Sequence, residues 1–179
     1  PMIDKANQKT TQEIYMTVPD KYVTLSNGIL KEQKKEANGL RTDHWVMDKR
    51  HSTYLFFMGV GDFAVVKDKW RNIPVDYYVE KEYEPYAKQI FGLTPEMMEF
   101  YSKLLKYDYP WAKYSQMVAR DYVSGAMENT TATLHGESAQ QKPGDLIDEN
   151  GWEPTIAHEL FHHWFGDLVT AESWSHLTV

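Results

Sequence analysis

Apolar and polar residues alternate in the first part of the chain, a pattern typical of half-buried β-strands. Ile14, Met16 and Val18 are apolar, and the residues between them are hydroxyl-bearing. Asn-Gly dipeptides follow at 27–28 and 38–39. They favour hairpin turns because both residue types tolerate positive φ. The opening segment therefore predicts several short strands joined by tight turns.

The rest of this first region contains one charged run and one apolar run. The charged run at 31–36 predicts a solvated strand or loop. The apolar run at 53–66 is broken by glycines and predicts a pair of strands with a bend between them. We therefore expect residues 1–70 to form antiparallel β structure.

After residue 70 the pattern is typical of strands mixed with helices. The predicted elements are, in chain order, a strand at 75–79, a helix at 80–90, a helix beginning at Thr94, and strands at 116–119 and 130–134. Polar, Gly and Pro residues at 137–152 predict a loop. A last helix opens at Pro154, and its apolar face comprises Ile156, Leu160, Phe161, Trp164, Phe165 and Leu168. We expect an α+β fold with a domain boundary near residue 70, dividing 1–70 from 71–179.

Composition narrows the function classes. A net charge of −7 and a pI near 5.5 argue against a nucleic-acid-binding surface. The absence of cysteine excludes disulfides and thiolate metal sites. No apolar run is long enough to span a membrane, and the first residues lack the pattern of a signal peptide. The compartment and the oligomeric state stay open.

The last predicted helix carries the motif H-E-x-x-H at 158–162. Positions four apart lie on one face of a helix, so His158 and His162 can direct both rings at one ion. Neutral imidazole nitrogen suits Zn²⁺. Glu159 points about 100° away from His158, outside the set of ligands but beside the open coordination position. There its carboxylate can take a proton from the attacking water as a general base.

The motif leaves the third metal ligand open. A catalytic zinc needs three protein ligands, and the metzincin pattern is excluded because Phe165 and Leu168 stand where it needs Gly and His. Asp167 and Glu172 are the carboxylates that follow the motif, and only Glu172 could fold back, through a tight loop. His163 points away from the pair, so we expect it to pack or to support the ligands.

A second constellation precedes the motif at 125–129 and reads Gly125, Ala126, Met127, Glu128 and Asn129. Small residues on a strand edge leave the backbone free to pair with an extended peptide. G-A-M-E-N followed by H-E-x-x-H-x-W-F-G resembles the double signature of the M1 family of zinc aminopeptidases, which are gluzincins. Segments 1–4 and 53–63 also resemble elements of that family's N-terminal β domain.

The resemblance implies a fold, a site and an activity. It implies the end of an antiparallel β N-terminal domain followed by the first part of a thermolysin-like α/β catalytic domain. Zn²⁺ would be held by His158 and His162, with Glu159 as general base and 125–129 binding substrate, Glu128 through the free α-ammonium. The family's third ligand is a Glu nineteen positions after His162, which corresponds to position 181, beyond Val179. The family's transition-state tyrosine is likewise expected downstream.

These features predict a zinc aminopeptidase that hydrolyses the N-terminal bond of peptides with a free amino end. Two alternatives remain open. Some proteins that resemble this family open an epoxide at the same zinc. The 179-residue chain could also be an inert or weakly metal-binding fragment with an incomplete site.

Overall fold

The computed structural model describes residues 2–148 and 150–177. Ten strands and three α-helices lie within this part of the chain. The strands are β1 (Lys9–Pro19), β2 (Val23–Ser26), β3 (Ile29–Lys35), β4 (Leu40–Ser52), β5 (Met58–Gly61), β6 (Phe63–Trp70), β7 (Ile73–Glu80), β8 (Tyr114–Ala119), β9 (Ala126–Met127) and β10 (Ala132–Gly136). The helices are α1 (Ala87–Phe91), α2 (Thr94–Leu105) and α3 (Glu153–His162).

The first sheet has the order β1-β4-β3 and is antiparallel throughout. Met16 and Val18 are buried in β1, which confirms the strand predicted from alternation. Every residue of β3 is exposed, as expected for the charged run. Asn38 and Gly39 have φ of 59° and 72° and connect the paired strands β3 and β4, so the second hairpin prediction is confirmed.

The hairpin predicted at 27–28 is wrong. Strand β2 pairs with β5 and strand β3 pairs with β4, so the Asn27-Gly28 turn passes the chain from one sheet to another. Gly28 has φ of 75°, and a Cβ there would meet the carbonyl oxygen of Val46 at 1.9 Å. Both residues lie in a turn, but a turn dipeptide does not determine which strands pair.

The apolar run at 53–66 forms strands, but the two strands do not pair with each other. β5 pairs with β2, whereas β6 pairs with β7 in a mixed five-stranded sheet of order β6-β7-β8-β10-β9. In that sheet β7–β8 and β8–β10 are parallel, and the two outer pairs are antiparallel. The β6–β7 hairpin lies across residue 70, and the domain boundary near that residue stays a prediction.

Helices cover one side of the five-stranded sheet and form the larger core with it. Ile156, Leu160 and Trp164 from the predicted apolar face of the last helix are buried in that core. Helix α3 nevertheless ends at His162, well before Leu168, and a turn with Gly166 at φ of 138° follows. Of the predicted helix 80–90, only the last part is α-helical, because Pro85 lies in a preceding 3₁₀ segment.

A second core lies between the sheets and includes Leu25, Trp45 and Met117. The fold is α+β, with an antiparallel β region followed by the beginning of a mixed α/β region, as expected from the sequence. Within the described residues, none of the helices combines the length and the apolar character needed to cross a bilayer.

Candidate functional site

The two histidines of the motif lie side by side on α3. Their Nε2 atoms are 3.0 Å apart, and the ring centroids are 4.6 Å apart with planes at 89°. The helix begins with Glu153 and Pro154, residues that suit a first turn, because Pro has no N–H to satisfy there and a carboxylate favours the positive end of the helix dipole. The predicted spacing thus brings both rings to one place.

A backbone carbonyl fixes the orientation of the His162 ring. Its Nδ1–H donates to the carbonyl of Phe165 at 2.9 Å, which leaves Nε2 as the unprotonated nitrogen of the neutral ring, on the side of His158. The tight turn at Gly166 makes this contact possible, and a Cβ at that position would be 3.2 Å from the same Nδ1. A backbone acceptor on the far nitrogen is the arrangement that usually orients a metal-binding imidazole.

The donor set fits a zinc ion. Two nitrogens that share one ion at about 2.0–2.1 Å each can be at most ~4 Å apart, and the observed Nε2 separation of 3.0 Å satisfies this limit. Both donors are imidazole nitrogens, which zinc accepts readily.

Two carboxylates face the same space. Ligand atoms of Glu128, Glu159 and His162 all lie within 4.8 Å of one another. Glu159 is buried, and burial, followed by the charge of Glu128, raises the pKa of its carboxyl to about 7. The predicted base and the predicted amine-binding residue are therefore neighbours beside a predicted metal ligand, although 31 positions separate Glu128 from Glu159.

The 125–129 segment lies at an edge of the five-stranded sheet. Ala126 and Met127 form β9, which pairs on one side with Leu134 and His135 of β10. On the other side, no strand of the described residues pairs with it. Gly125 is exposed and its carbonyl accepts from Gly136 N at 2.8 Å. The expected free strand edge is present.

Asn129 differs from its neighbours because it is buried. Its Nδ2 donates to the carbonyl of Leu55 at 3.3 Å, and its Oδ1 has no hydrogen-bond partner. Its contacts connect the segment to the chain between β4 and β5. The substrate-binding role predicted for Asn129 stays a prediction.

His163 packs as expected, away from the pair. It is fully buried, its Nδ1–H donates to the carbonyl of Glu159 at 3.1 Å, and its Nε2 accepts from Thr131 N at 2.9 Å. Burial lowers the pKa of its imidazole to about 3. The ring is therefore neutral, and it joins α3 to the residue that precedes β10.

A cleft of about 340 Å³ lies beside this group, and Tyr54, Glu128 and His162 are among the residues that line it. Tyr54 is not among the site residues predicted from the sequence. Its ring packs edge to face against that of Trp174, with ring centroids 5.1 Å apart. Burial and the charge of Glu128 raise the pKa of the Tyr54 hydroxyl. Nothing in the local pattern around position 54 indicates that it lies beside position 128.

Glu172 does not complete the metal site. It is exposed and lines a neighbouring cavity with Lys5 and Asn7. Among residues 2–148 and 150–177, it does not join a group of potential ligands with either histidine. Positions 178 and 179 lie outside the described residues, and the expected position 181 lies beyond the sequence.

Comparison with known proteins identifies the family to which the chain is similar. Residues 90–179 match the model of the peptidase family M1 domain, and residues 1–55 match that of the peptidase M1 N-terminal domain. The chain is 31% identical to human endoplasmic reticulum aminopeptidase 1, over 99% of this chain and 19% of that protein. It is 29% identical to the Tricorn protease-interacting factor F2 of Thermoplasma acidophilum and to human glutamyl aminopeptidase, again over 99% of this chain.

The chain thus spans about a fifth of the length of the relatives it matches. Two domain models of one family match it in the expected order, and half of its length falls within the peptidase domain. This chain belongs to peptidase family M1.

Proposed function

We propose that the chain carries part of the active site of a zinc aminopeptidase, which removes one residue at a time from the free amino end of a peptide. The observation that supports this best is the meeting of Glu128, Glu159 and His162 within 4.8 Å, beside an open strand edge. His162 would serve as a metal ligand, Glu159 as the base and Glu128 as the amine-binding group, all within 4.8 Å of one another.

His158 and His162 would hold the metal through their Nε2 atoms. When bound, Zn²⁺ supplies a Lewis acid for the scissile carbonyl and lowers the pKa of the attacking water. The Phe165 carbonyl holds His162 by its Nδ1–H at 2.9 Å, which keeps its Nε2 beside that of His158, where both would hold the ion.

Glu159 would act as the general base. Its carboxylate accepts a proton from the attacking water and then passes it to the nitrogen of the leaving amine. Its burial supports this role, because a carboxylate with few water contacts is a stronger proton acceptor than an exposed one.

Glu128 and β9 would position the substrate. An extended peptide can add its backbone to the free edge of Ala126–Met127. The Glu128 carboxylate then meets the α-ammonium, a charge that only the end of a peptide carries. Two acidic groups in a small cleft repel each other, so a cationic substrate group relieves that repulsion.

Glu159→Gln and Glu128→Gln test these roles in the encoded protein that contains this chain. Glu159→Gln should lower kcat by about 10²–10⁴-fold while zinc content, measured by metal analysis, stays at the parent value. Glu128→Gln should reduce the preference for a free over an acetylated amino end. Exposed Glu137→Gln is the matched control.

Two results would contradict the proposal. One is full turnover in Glu159→Gln. The other is equal cleavage of free and acetylated peptides by the parent protein. Assaying an aminoacyl amide beside an epoxide lipid distinguishes peptide hydrolysis from epoxide opening.

A further inference from the structure

Lys9 reaches from the first sheet to the loop behind the histidine pair. It is the first residue of β1, and its Nζ donates to the carbonyls of Asp167 and Leu168 at 3.0 and 2.8 Å. Its own carbonyl accepts two hydrogen bonds from the guanidinium of Arg50, at 3.2 and 2.8 Å. The backbone that carries the ammonium group is therefore held in place.

The loop that Lys9 binds is the one that orients His162. Asp167 N donates to the carbonyl of His162 at 3.0 Å, and the Phe165 carbonyl accepts from His162 Nδ1–H at 2.9 Å. Gly166 N donates to the carbonyl of Val169 at 2.8 Å and closes the turn. A movement of the Asp167 or Leu168 carbonyl would thus be transmitted directly to both the backbone and the ring of His162.

These two contacts are the only hydrogen bonds between the segment 2–62 and the segment 153–177 in the described part of the chain (residues 2–148 and 150–177). The two Lys9 contacts are charge-assisted and half-buried, so they are stronger than neutral hydrogen bonds of the same length. Within the described residues, the direct hydrogen bonds between the first sheet and the segment 153–177 therefore come from a single side chain.

We propose that Lys9 is a positioning residue for the metal ligand His162. Its ammonium group holds the 165–168 loop so that the Phe165 carbonyl keeps the Nδ1–H of His162 and the Nε2 lone pair points at the ion. The N-terminal β region thereby sets metal affinity, although it supplies no ligand. This inference rests on the proposed metal site.

Zinc affinity of the 179-residue chain, measured by competition with a chromophoric chelator, tests the proposal. Lys9→Met should weaken zinc binding by about tenfold, as loss of groups that support metal ligands typically does. Lys9→Gln keeps a polar side chain but is too short to reach both carbonyls, and should weaken it similarly. Lys9→Arg keeps a cationic donor and should stay within threefold of the parent.

Lys49→Met is the matched control. Lys49 Nζ also donates to a distant backbone carbonyl, that of Pro110, but this carbonyl does not belong to the 165–168 loop. His162→Ala tests the metal site itself. The visible absorption spectrum of the Co²⁺-substituted chain adds a readout of ligand geometry, which a loss of stability alone would not alter. Urea unfolding of each metal-free variant records the stability.

The outcomes separate the two proposals. Weaker binding and an altered Co²⁺ spectrum in the neutral Lys9 variants, with Lys9→Arg and Lys49→Met near the parent, support the positioning role. Parent-like affinity in Lys9→Met overturns it, whereas a parent-like His162→Ala overturns the metal site and this inference with it. If neither neutral variant folds, Lys9 is a requirement of the fold, and the positioning role is rejected.

Discussion

The imidazole of His163 accepts a hydrogen bond from the backbone N–H of Thr131 at 2.9 Å. The same ring donates from Nδ1 to the carbonyl of Glu159 at 3.1 Å, so both nitrogens have partners in a completely buried position. Thr131 lies two residues after Asn129 and directly before β10. One neutral ring therefore joins the end of the histidine helix to the chain that follows the 125–129 segment.

Replacing His163 with Ala should destabilise the fold strongly. The change leaves a cavity and an unpaired buried N–H at Thr131, which together cost about 2–4 kcal/mol. Urea unfolding of the metal-free chain measures the loss. His176→Ala, at an exposed position, should change stability by less than about 0.5 kcal/mol. A loss in His163→Ala no larger than in this control would contradict the role assigned to the ring.

Lys113 is a buried amine whose charge the fold disfavours. Its Nζ donates to the carbonyl of Thr131 at 2.7 Å, and burial lowers its pKa to about 7, although the charge of Asp76 acts in the opposite direction. In the unfolded chain the pKa returns to about 10.4. Between these two values the unfolded state binds one more proton than the folded state, so stability rises with pH in this window.

Lys113→Met should remove this dependence. The free energy of unfolding of the parent should rise between pH 7 and pH 10 with a contribution of up to about 1.4 kcal/mol per pH unit from Lys113, and the variant should lack it. The Thr131 carbonyl keeps its bond from Ser115 N at 3.0 Å, so the substitution leaves no unpaired acceptor. Urea unfolding at pH 7, 8.5 and 10 measures the difference between the two slopes. Parallel slopes in parent and variant would show that Lys113 titrates normally in the fold.

The features that the sequence predicted well are local ones. The apolar face of Ile156, Leu160 and Trp164 indicated a buried helix, and the i, i+4 spacing placed His158 and His162 together because helix geometry alone determines it. The alternation in β1 likewise follows from the two-residue period of a strand. Each of these properties is determined by residues that lie close to one another along the chain.

The features that the sequence did not predict depend on distant partners. The Asn27-Gly28 turn joins strands of different sheets, and strand β10 is parallel to β8 rather than part of a hairpin with it. Lys9 lies 158 positions from Asp167, and no periodicity connects them. Pairings of this kind follow from which sheet edges and cores are filled, which is a property of the whole chain.

Gly28 and Gly39 form a pair of substitutions that separates steric conflict from backbone strain. Both have positive φ, at 75° and 72°. A Cβ at Gly28 would lie 1.9 Å from the carbonyl oxygen of Val46, whereas a Cβ at Gly39 would meet nothing within 4 Å. Gly39→Ala should cost about 1–2 kcal/mol from the left-handed conformation alone. Gly28→Ala should cost clearly more, because the backbone of β4 must also move.

Urea unfolding of the two variants side by side provides the measurement. If both lose the same stability, the close approach of Gly28 to β4 has no energetic consequence. If Gly28→Ala fails to fold while Gly39→Ala folds, the steric reading holds.

Gly166 connects the conformation of the loop to the metal ligand. Its φ of 138° is one that residues with a side chain rarely adopt, and a Cβ there would lie 3.2 Å from Nδ1 and from the carbonyl oxygen of His162. Gly166→Ala should therefore cost about 1–3 kcal/mol in stability through backbone strain. It should also weaken zinc binding, because relief of the close contact rotates the ring away from the Phe165 carbonyl.

Gly144→Ala is the control, since a Cβ there meets nothing within 4 Å. Urea unfolding and chelator competition are measured on both variants. If Gly166→Ala binds zinc more weakly than Gly144→Ala under conditions in which both variants are folded, the effect is on the metal ligand His162. An unchanged zinc affinity, with stability reduced, would show that His162 keeps its orientation without this turn.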